Sequence, residues 1–359
     1  MNILIIKPSS LGDIVHTLPA VHALRSAFPD AVISWLVNDT FAGLVELSPD
    51  IDETILFKRK AMGKLSGIGE IFKLVQQLKQ RKFDVVFDFQ GLFKSAFFAK
   101  MSGAPLVIGP ADARECGSWF YSRKVAVPES VTHALDRNNY LVKDYLNNLD
   151  MTFNFPELKC YDDCAQAAES LLKRFEVPAE RQLVAIAPES RWPSKTWPPE
   201  FFAKVMDLVA EECNPIFWLL GTKAEQKSGQ NVLEHCRKAH PFNFMGSTNL
   251  GTMVELLRRS SALVTNDSGP MHIAAALKTP VFAMFGPTNP ELTGPYGEGN
   301  QVFKGDAGCG YCRRRECPLP IEKCCKSTLS PEKVAKAVIA ELTKSTEKSK
   351  EEEGQNEKV

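Results

Sequence analysis

Nowhere do the 359 residues form an apolar run near the ~18 that a membrane-spanning helix requires. The opening stretch Ile3-Leu4-Ile5-Ile6 is also far shorter than the core of a secretory signal, so no export signal is read and the chain is expected in the cytoplasm. Net charge is missing too. Lys and Arg total 43 against 43 Asp and Glu, which removes the usual footprint of nucleic-acid binding and makes any basic patch a local matter. Neither a G-x-G-x-x-G fingerprint nor a Walker loop occurs, so dinucleotide-dependent oxidoreductases and P-loop enzymes lose their main support. What the chain does have is 44% hydrophobic residues, enough for packed cores in two domains of common size. In a reducing compartment its 10 cysteines serve packing, metal binding or catalysis rather than disulfides.

Strand-like and helix-like segments alternate twice along the chain. Asn2 to Lys7 reads as a buried strand, Leu11 to Phe28 as a helix, Val32 to Val37 as a second strand, and Val85 to Phe89 as another strand behind the helix Ile71 to Gln80. A less regular stretch, Leu149 to Tyr161, interrupts the pattern. It restarts with strands at Leu183 to Ala187, Ile216 to Leu220, Leu263 to Thr265 and Val281 to Phe285. Short apolar strands separated by helices predict parallel sheets covered on both faces, here two doubly wound α/β domains over 1–158 and 159–342. The last helix is read over Pro331 to Leu342, and the Lys/Glu/Ser tract 343–359, without apolar periodicity, is expected to be a disordered tail.

Two strand-to-helix turns in this pattern carry chemistry. In the first, Ala262-Leu263-Val264 ends in Thr265-Asn266-Asp267-Ser268-Gly269-Pro270-Met271-His272 and passes directly into an apolar helix. Ser268 is placed to cap, Gly269 lets a ligand approach the backbone, and Pro270 suits a first helical turn. Open amides at a helix start bind anions, and Asp267 lies at the sheet edge where α/β folds hold ligands, so the turn suits the diphosphate and sugar of a nucleotide-sugar. The second turn is Lys7-Pro8-Ser9-Ser10-Leu11-Gly12-Asp13. Two roles fit Asp13: a helix N-terminal acid complementing the dipole, or a carboxylate facing a ligand crevice.

Together with other segments these turns resemble the heptosyltransferases of glycosyltransferase family 9. The matching stretches are K-P-S-S-L-G-D-I-V-H-T-L-P-A (Lys7 to Ala20), D-F-Q-G-L-F-K-S-A (Asp88 to Ala96), A-R-E (Ala113 to Glu115), F-Y-S-R-K (Phe120 to Lys124), S-K-T-W-P (Ser194 to Pro198), T-N-D-S-G-P-M-H (Thr265 to His272) and F-G-P-T-N-P (Phe285 to Pro290). The Q-G-L-x-K-S-A segment points to the type I branch. The resemblance implies a GT-B fold, in which two Rossmann-like domains face each other across a cleft. It also implies ADP-L-glycero-D-manno-heptose as donor, a Kdo sugar of the lipid A inner core as acceptor, and no cofactor.

On that resemblance Asp13 is the base that accepts the acceptor hydroxyl's proton, and Lys195 supplies positive charge to the departing diphosphate. The amides of Ser268, Gly269, Pro270, Met271 and His272, as far as each has one, would hold phosphate oxygens, with Thr265 and Thr288 beside them and Asp267 on heptose hydroxyls. His272 either donates to the diphosphate or steadies the loop, and Thr288 and Asn289 either touch donor or simply make the turn. An anionic acceptor calls for local cations on the first domain. Lys58, Arg59, Lys60, Lys94, Arg114 and Arg123 are the candidates, with Ser10 and Gly12 on the acceptor side. Lys58, Arg59, Lys60 and Arg123, near Phe57 and Phe120, would also give peripheral contact with the cytoplasmic face of the inner membrane. One segment departs from the type I pattern: Cys309-x2-Cys312-x4-Cys317-x6-Cys324, followed by Cys325 and enclosing Arg313-Arg314-Arg315. It resembles a metal-ligand set, but its spacing is irregular beside common zinc sites, and a metal-free protein is expected. The neighbouring readings are a type II or other family 9 transferase and, from another class, a nucleotide-sugar epimerase of GT-B-like fold.

Overall fold

The computed structural model describes residues 1–58, 67–178 and 181–356, with side chains up to 346. The chain divides into two units, Met1–Lys159 and Cys160–Val359. The first carries β1 (Asn2–Ile6), β2 (Val32–Asn38), β3 (Glu53–Phe57), β4 (Val85–Asp88), β5 (Leu106–Pro110) and β6 (Arg123–Val125). They form one parallel sheet in the order β3-β2-β1-β4-β5-β6. The second carries β7 (Leu183–Ala187), β8 (Ile216–Leu219), β9 (Phe242–Asn243), β10 (Ala262–Asn266), β11 (Val281–Phe285) and β12 (Gln301–Lys304). Their order, β12-β11-β10-β7-β8-β9, is again parallel throughout.

Both sheets therefore have the same plan, with the first strand central and the fourth beside it. Chain direction across the sheet reverses between β1 and β4 and between β7 and β10, and such switch points leave a crevice at the strands' C-terminal edge. Burial explains which strands take the centre. Ile3, Leu4, Ile5 and Ile6 are fully buried, as are Leu263 and Val264, because helices cover both faces of a parallel sheet.

Two segments differ from the sequence reading. The expected helix from Leu11 to Phe28 is two helices, Leu11–Val15 and Leu18–Ala27. Thr17 donates its hydroxyl to the Asp13 carbonyl (2.8 Å), and Asn138 donates to the His16 carbonyl (3.2 Å) and reaches Thr17 Oγ1 (3.0 Å), so the break is pinned from a distant helix. The final helix does not stop at Leu342 but runs over Pro331–Asn356, through most of the tract read as a disordered tail. That tract is rich in Lys and Glu, good helix formers even without an apolar stripe, and Lys344 pairs with Glu341 one turn back at 4.0 Å.

Candidate active site

In the second unit three loops converge on one carboxylate. β10 ends at Asn266, whose buried amide donates to the Pro188 carbonyl (2.6 Å) and accepts from the Trp197 amide (3.0 Å), tying the loop after β7 to the end of β10. Asp267 follows, and its Oδ2 meets Lys195 Nζ at 2.6 Å and accepts from the Thr288 hydroxyl at 2.6 Å. Ser190 donates to the Asp267 carbonyl at 3.0 Å. The Lys195 ammonium also lies 4.9 Å from the Trp192 ring centroid, close enough for attraction to the π face. The ion pair is nearly dry, with side-chain exposures of 17% for Lys195 and 6% for Asp267. A loop lysine this enclosed is held in one geometry.

The helix Gly269–Ala276 starts directly beside this pair, with Pro270 in its first turn. Ser268 occupies the cap position in extended conformation, yet its side chain makes no capping bond and its Oγ lies 3.2 Å from Thr265 Oγ1. The expected serine cap is therefore replaced by a hydroxyl pair, and the serine leaves the first amides to other partners. Thr265 and Met271 are fully buried, so their side chains do not face a ligand. The Thr265 hydroxyl is occupied by the Ala187 carbonyl of the neighbouring strand, to which it donates at 3.2 Å. His272 is buried in the helix's first turn. Glu189, on the loop after β7, turns to the helix Gln226–His235, where it accepts a hydrogen bond from Ser228. Burial pushes its carboxyl above the usual range, with Ser228 opposing the rise.

In the first unit Asp13 sits in the first turn of Leu11–Val15. Its Oδ2 accepts from the Ser10 amide (2.8 Å) and the Ser10 hydroxyl (2.6 Å), while Oδ1 faces Lys7 Nζ at 3.9 Å. The capping role is thus real, and it leaves the carboxylate 37% exposed. Lys7 is itself buried and donates to the Phe89 carbonyl at 2.7 Å. Gly12 is buried, and Ser10 serves Asp13.

At the end of β4, Asp88 shapes the neighbouring Gln-Gly-Leu turn. Oδ1 accepts from the Gln90 (3.0 Å) and Gly91 (3.2 Å) amides, and Oδ2 accepts from Ser95 Oγ (2.8 Å) and Tyr121 Oη (2.7 Å). Complete burial pushes this carboxyl upward, against the four hydrogen bonds, and burial likewise raises the Tyr121 phenol. Gly109 is required beside it, because a Cβ there would stand 2.3 Å from the tyrosine ring. The turn forms one wall of a cavity of about 310 Å³ reached by Lys7, Gln90, Arg114, Arg137 and Asn138. Arg137, which pairs with Asp112 at 2.5 Å, and Lys7 both belong to this site, although sequence reading gave neither a role. Arg137 lies outside every matched segment. Lys7 lies inside one, as the first residue of the turn that carries Asp13.

The remaining cations separate. Arg114 lines the cavity, and Lys94 is exposed in the first turn of the helix Phe93–Met101. Arg123 goes elsewhere: it pairs with Asp144 at 2.7 Å and donates to the carbonyl of the same residue. Asp144 is in the last turn of the helix Ala134–Leu146, whose first turns line the cavity, so Arg123 is anchored at the opposite end of that helix. Lys58 is exposed after β3, and Arg59 and Lys60 lie outside the described residues. Cys309, Cys312, Cys317 and Cys324 are free thiols, and among the described residues no three His, Cys, Asp or Glu side chains are grouped to hold a metal ion. Burial, with the neighbouring Cys317 thiol, pushes Cys324 up to about 12. No described helix is long and apolar enough to cross a membrane.

The lipopolysaccharide heptosyltransferase 1 of Pseudomonas aeruginosa is 29% identical over 95% of this chain and 98% of its own length. The lipopolysaccharide heptosyltransferase 2 of Escherichia coli K12 is 27% identical over 87% of this chain and 93% of its own. In three dimensions the E. coli ADP-heptose LPS heptosyltransferase II superposes with a TM-score of 0.77 at 24% identity, covering 96% of this chain and 100% of that one. The two parallel six-stranded sheets are thus those of the GT-B fold. The sequence profile of Glycosyltransferase family 9 (heptosyltransferase) matches residues 71–322, which include the Asp88 turn, the Lys195–Asp267 pair and the helix that follows it. This chain belongs to glycosyltransferase family 9.

Proposed function

We propose that this protein transfers heptose from ADP-L-glycero-D-manno-heptose to a Kdo sugar of the lipid A inner core, with inversion at the anomeric carbon. The observation that carries the reading is the Lys195–Asp267–Thr288 cluster beside the start of Gly269–Ala276, which offers fixed polar groups and helix amides to a sugar diphosphate. The acceptor oxygen bonds to the anomeric carbon as the bond from that carbon to the β-phosphate oxygen breaks. Its proton passes to Asp13, and ADP leaves. Asp13 suits the task because its exposed carboxylate is fixed by Ser10 and faces the Lys7 ammonium. Lys195 and the amides meet the charge that grows on the diphosphate.

For the acceptor, Arg114 puts a guanidinium on the cavity beside Lys7, suited to a sugar carboxylate, while Arg137 there is matched by Asp112. Lys94 and the exposed Phe93 and Trp119 belong to the same unit and suit contact with an anionic lipid surface. The type I assignment is supported by the Pseudomonas relative, which matches nearly the whole chain, and by the Q-G-L-x-K-S-A segment. The test is to offer purified protein ADP-heptose with Kdo2-lipid A or with heptosyl-Kdo2-lipid A and to weigh the products. A product heavier by one heptose from the unheptosylated acceptor alone is the expected result. Transfer only to the heptosylated acceptor would make the enzyme type II, and isomerised donor without transfer would make it an epimerase.

A further inference from the structure

The donor site as described is short of positive charge. Lys195 is its inward-facing cation, and at 2.6 Å from Asp267 its charge is already matched by a nearly buried carboxylate. A sugar diphosphate brings two negative charges, and a helix start contributes only about half a unit of positive potential. A further cation is required, free of a carboxylate and held near the same loop.

Arg315 meets those conditions. Its guanidinium lies 5.8 Å from the centroid of the Trp192 ring, the same ring that lies 4.9 Å from Lys195 Nζ. Among the described residues no carboxylate is within ion-pair distance of it. Its backbone is fixed by the donor loop itself. Ser194, buried, donates its amide to the Arg315 carbonyl (3.1 Å) and its hydroxyl to the Arg314 carbonyl (2.6 Å). One step back, the Arg313 amide donates to the Pro287 carbonyl at 2.9 Å, next to Thr288. Three consecutive arginines are thus hydrogen-bonded to both loops that hold Asp267, the one after β7 and the one after β11.

The cysteine-rich segment supports this arrangement. A Cβ on Gly286 would stand 2.7 Å from Cys325 Sγ, so that thiol lies flush against the turn that carries Thr288. Lys326 donates to the Pro193 carbonyl at 3.1 Å, from within the same segment. Segment 309–328 is therefore a strap across the donor loops.

We propose that Arg315 is the second cation of the diphosphate subsite, presented by this strap and oriented by Trp192. The proposal rests on the nucleotide-sugar reading of the site. A guanidinium is the right group: its planar fork bonds two oxygens at once, it stacks on an aromatic ring, and it stays charged at any working pH. Sharing the Trp192 ring with Lys195, it also favours a diphosphate over a monophosphate, since the second phosphate needs the second charge.

The experiment is calorimetric titration of ADP and of AMP into the full-length protein and its Arg315→Gln variant, with far-ultraviolet circular dichroism to establish that both are folded. Arg315 is exposed, so the substitution leaves the core untouched. The expected result is ADP affinity about tenfold weaker in the variant, with AMP affinity changed less than twofold. The salt dependence of ADP binding should also become shallower, as one charge contact is lost. An Arg315→Gln variant that binds ADP as tightly as the natural protein, or that loses ADP and AMP equally, would overturn the assignment while leaving the donor reading in place. Natural protein that binds neither nucleotide would overturn that reading and this one with it.

Discussion

The two sheets share one strand order, so β1 corresponds to β7 and β4 to β10, and each switch point ends in an aspartate with different surroundings. Asp88, on β4, is fully buried and surrounded by four donors of its own unit. Asp267, just after β10, sits at the same topological place but meets a lysine and a threonine from two other loops. One acid is satisfied within its own unit's turn, and the other draws together side chains from two further loops. The loops after the first strands differ in the same way: Asp13 is partly exposed and only 3.9 Å from Lys7, whereas Lys195 is enclosed and in direct contact with its acid. Topology fixes where a crevice forms, and burial with local partners decides whether the carboxylate there is enclosed by its own turn, paired with a cation from another loop or left partly exposed.

If Asp88 is structural, replacing it by alanine strands several buried donors, and Asp88→Ala should destabilise the protein by about 3 kcal/mol in urea melts. A variant as stable as the natural protein would erase the contrast with Asp267. The next effect is at the donor site. Lys195→Ala leaves Asp267 nearly buried without its cation, and ADP binding should weaken about tenfold with slower transfer at saturating donor. Unchanged ADP affinity and rate would remove Lys195 from the site.

The smallest effect concerns Glu189. Because burial raises its carboxyl above 4.5, the folded protein binds more protons than the unfolded chain as pH climbs from 4.5 toward the raised value. Stability therefore falls with rising pH across that window and levels off above it. Glu189→Gln should flatten the slope in melts taken from pH 4.5 upward, and an unaltered slope would mean that Glu189 is not its source.

The central strands were legible because a parallel sheet buried on both faces writes nearly continuous apolar runs: Leu183–Ala187 and Val281–Phe285 read directly from sequence. Strands at and near the sheet edges did not. Gln301–Lys304 is largely exposed and carries polar ends, Arg123–Val125 spans three residues, and Glu53–Phe57 mixes exposed and buried positions, so none shows a period. The donor turn was legible because its chemistry is contiguous, from Asp267 to His272. Lys195 and Thr288 came from the resemblance rather than from spacing, since Lys195 and Asp267 are separated by 72 positions, and the bonds from Ser194 to the Arg313-Arg314-Arg315 run, across a still longer gap, left no signal. Ser268 was misjudged because a cap residue's preference says nothing of a competing hydroxyl at Thr265.

The division of labour between the two units is tested most directly by Asp13→Asn, assayed for transfer at saturating ADP-heptose and Kdo2-lipid A alongside ADP titration of the same preparation. The expected kcat is lower by about 100-fold or more with ADP affinity within about twofold, because the proposed base is lost while the Lys195–Asp267 pair is intact. A kcat near that of the natural protein would return Asp13 to a capping role and contradict the account.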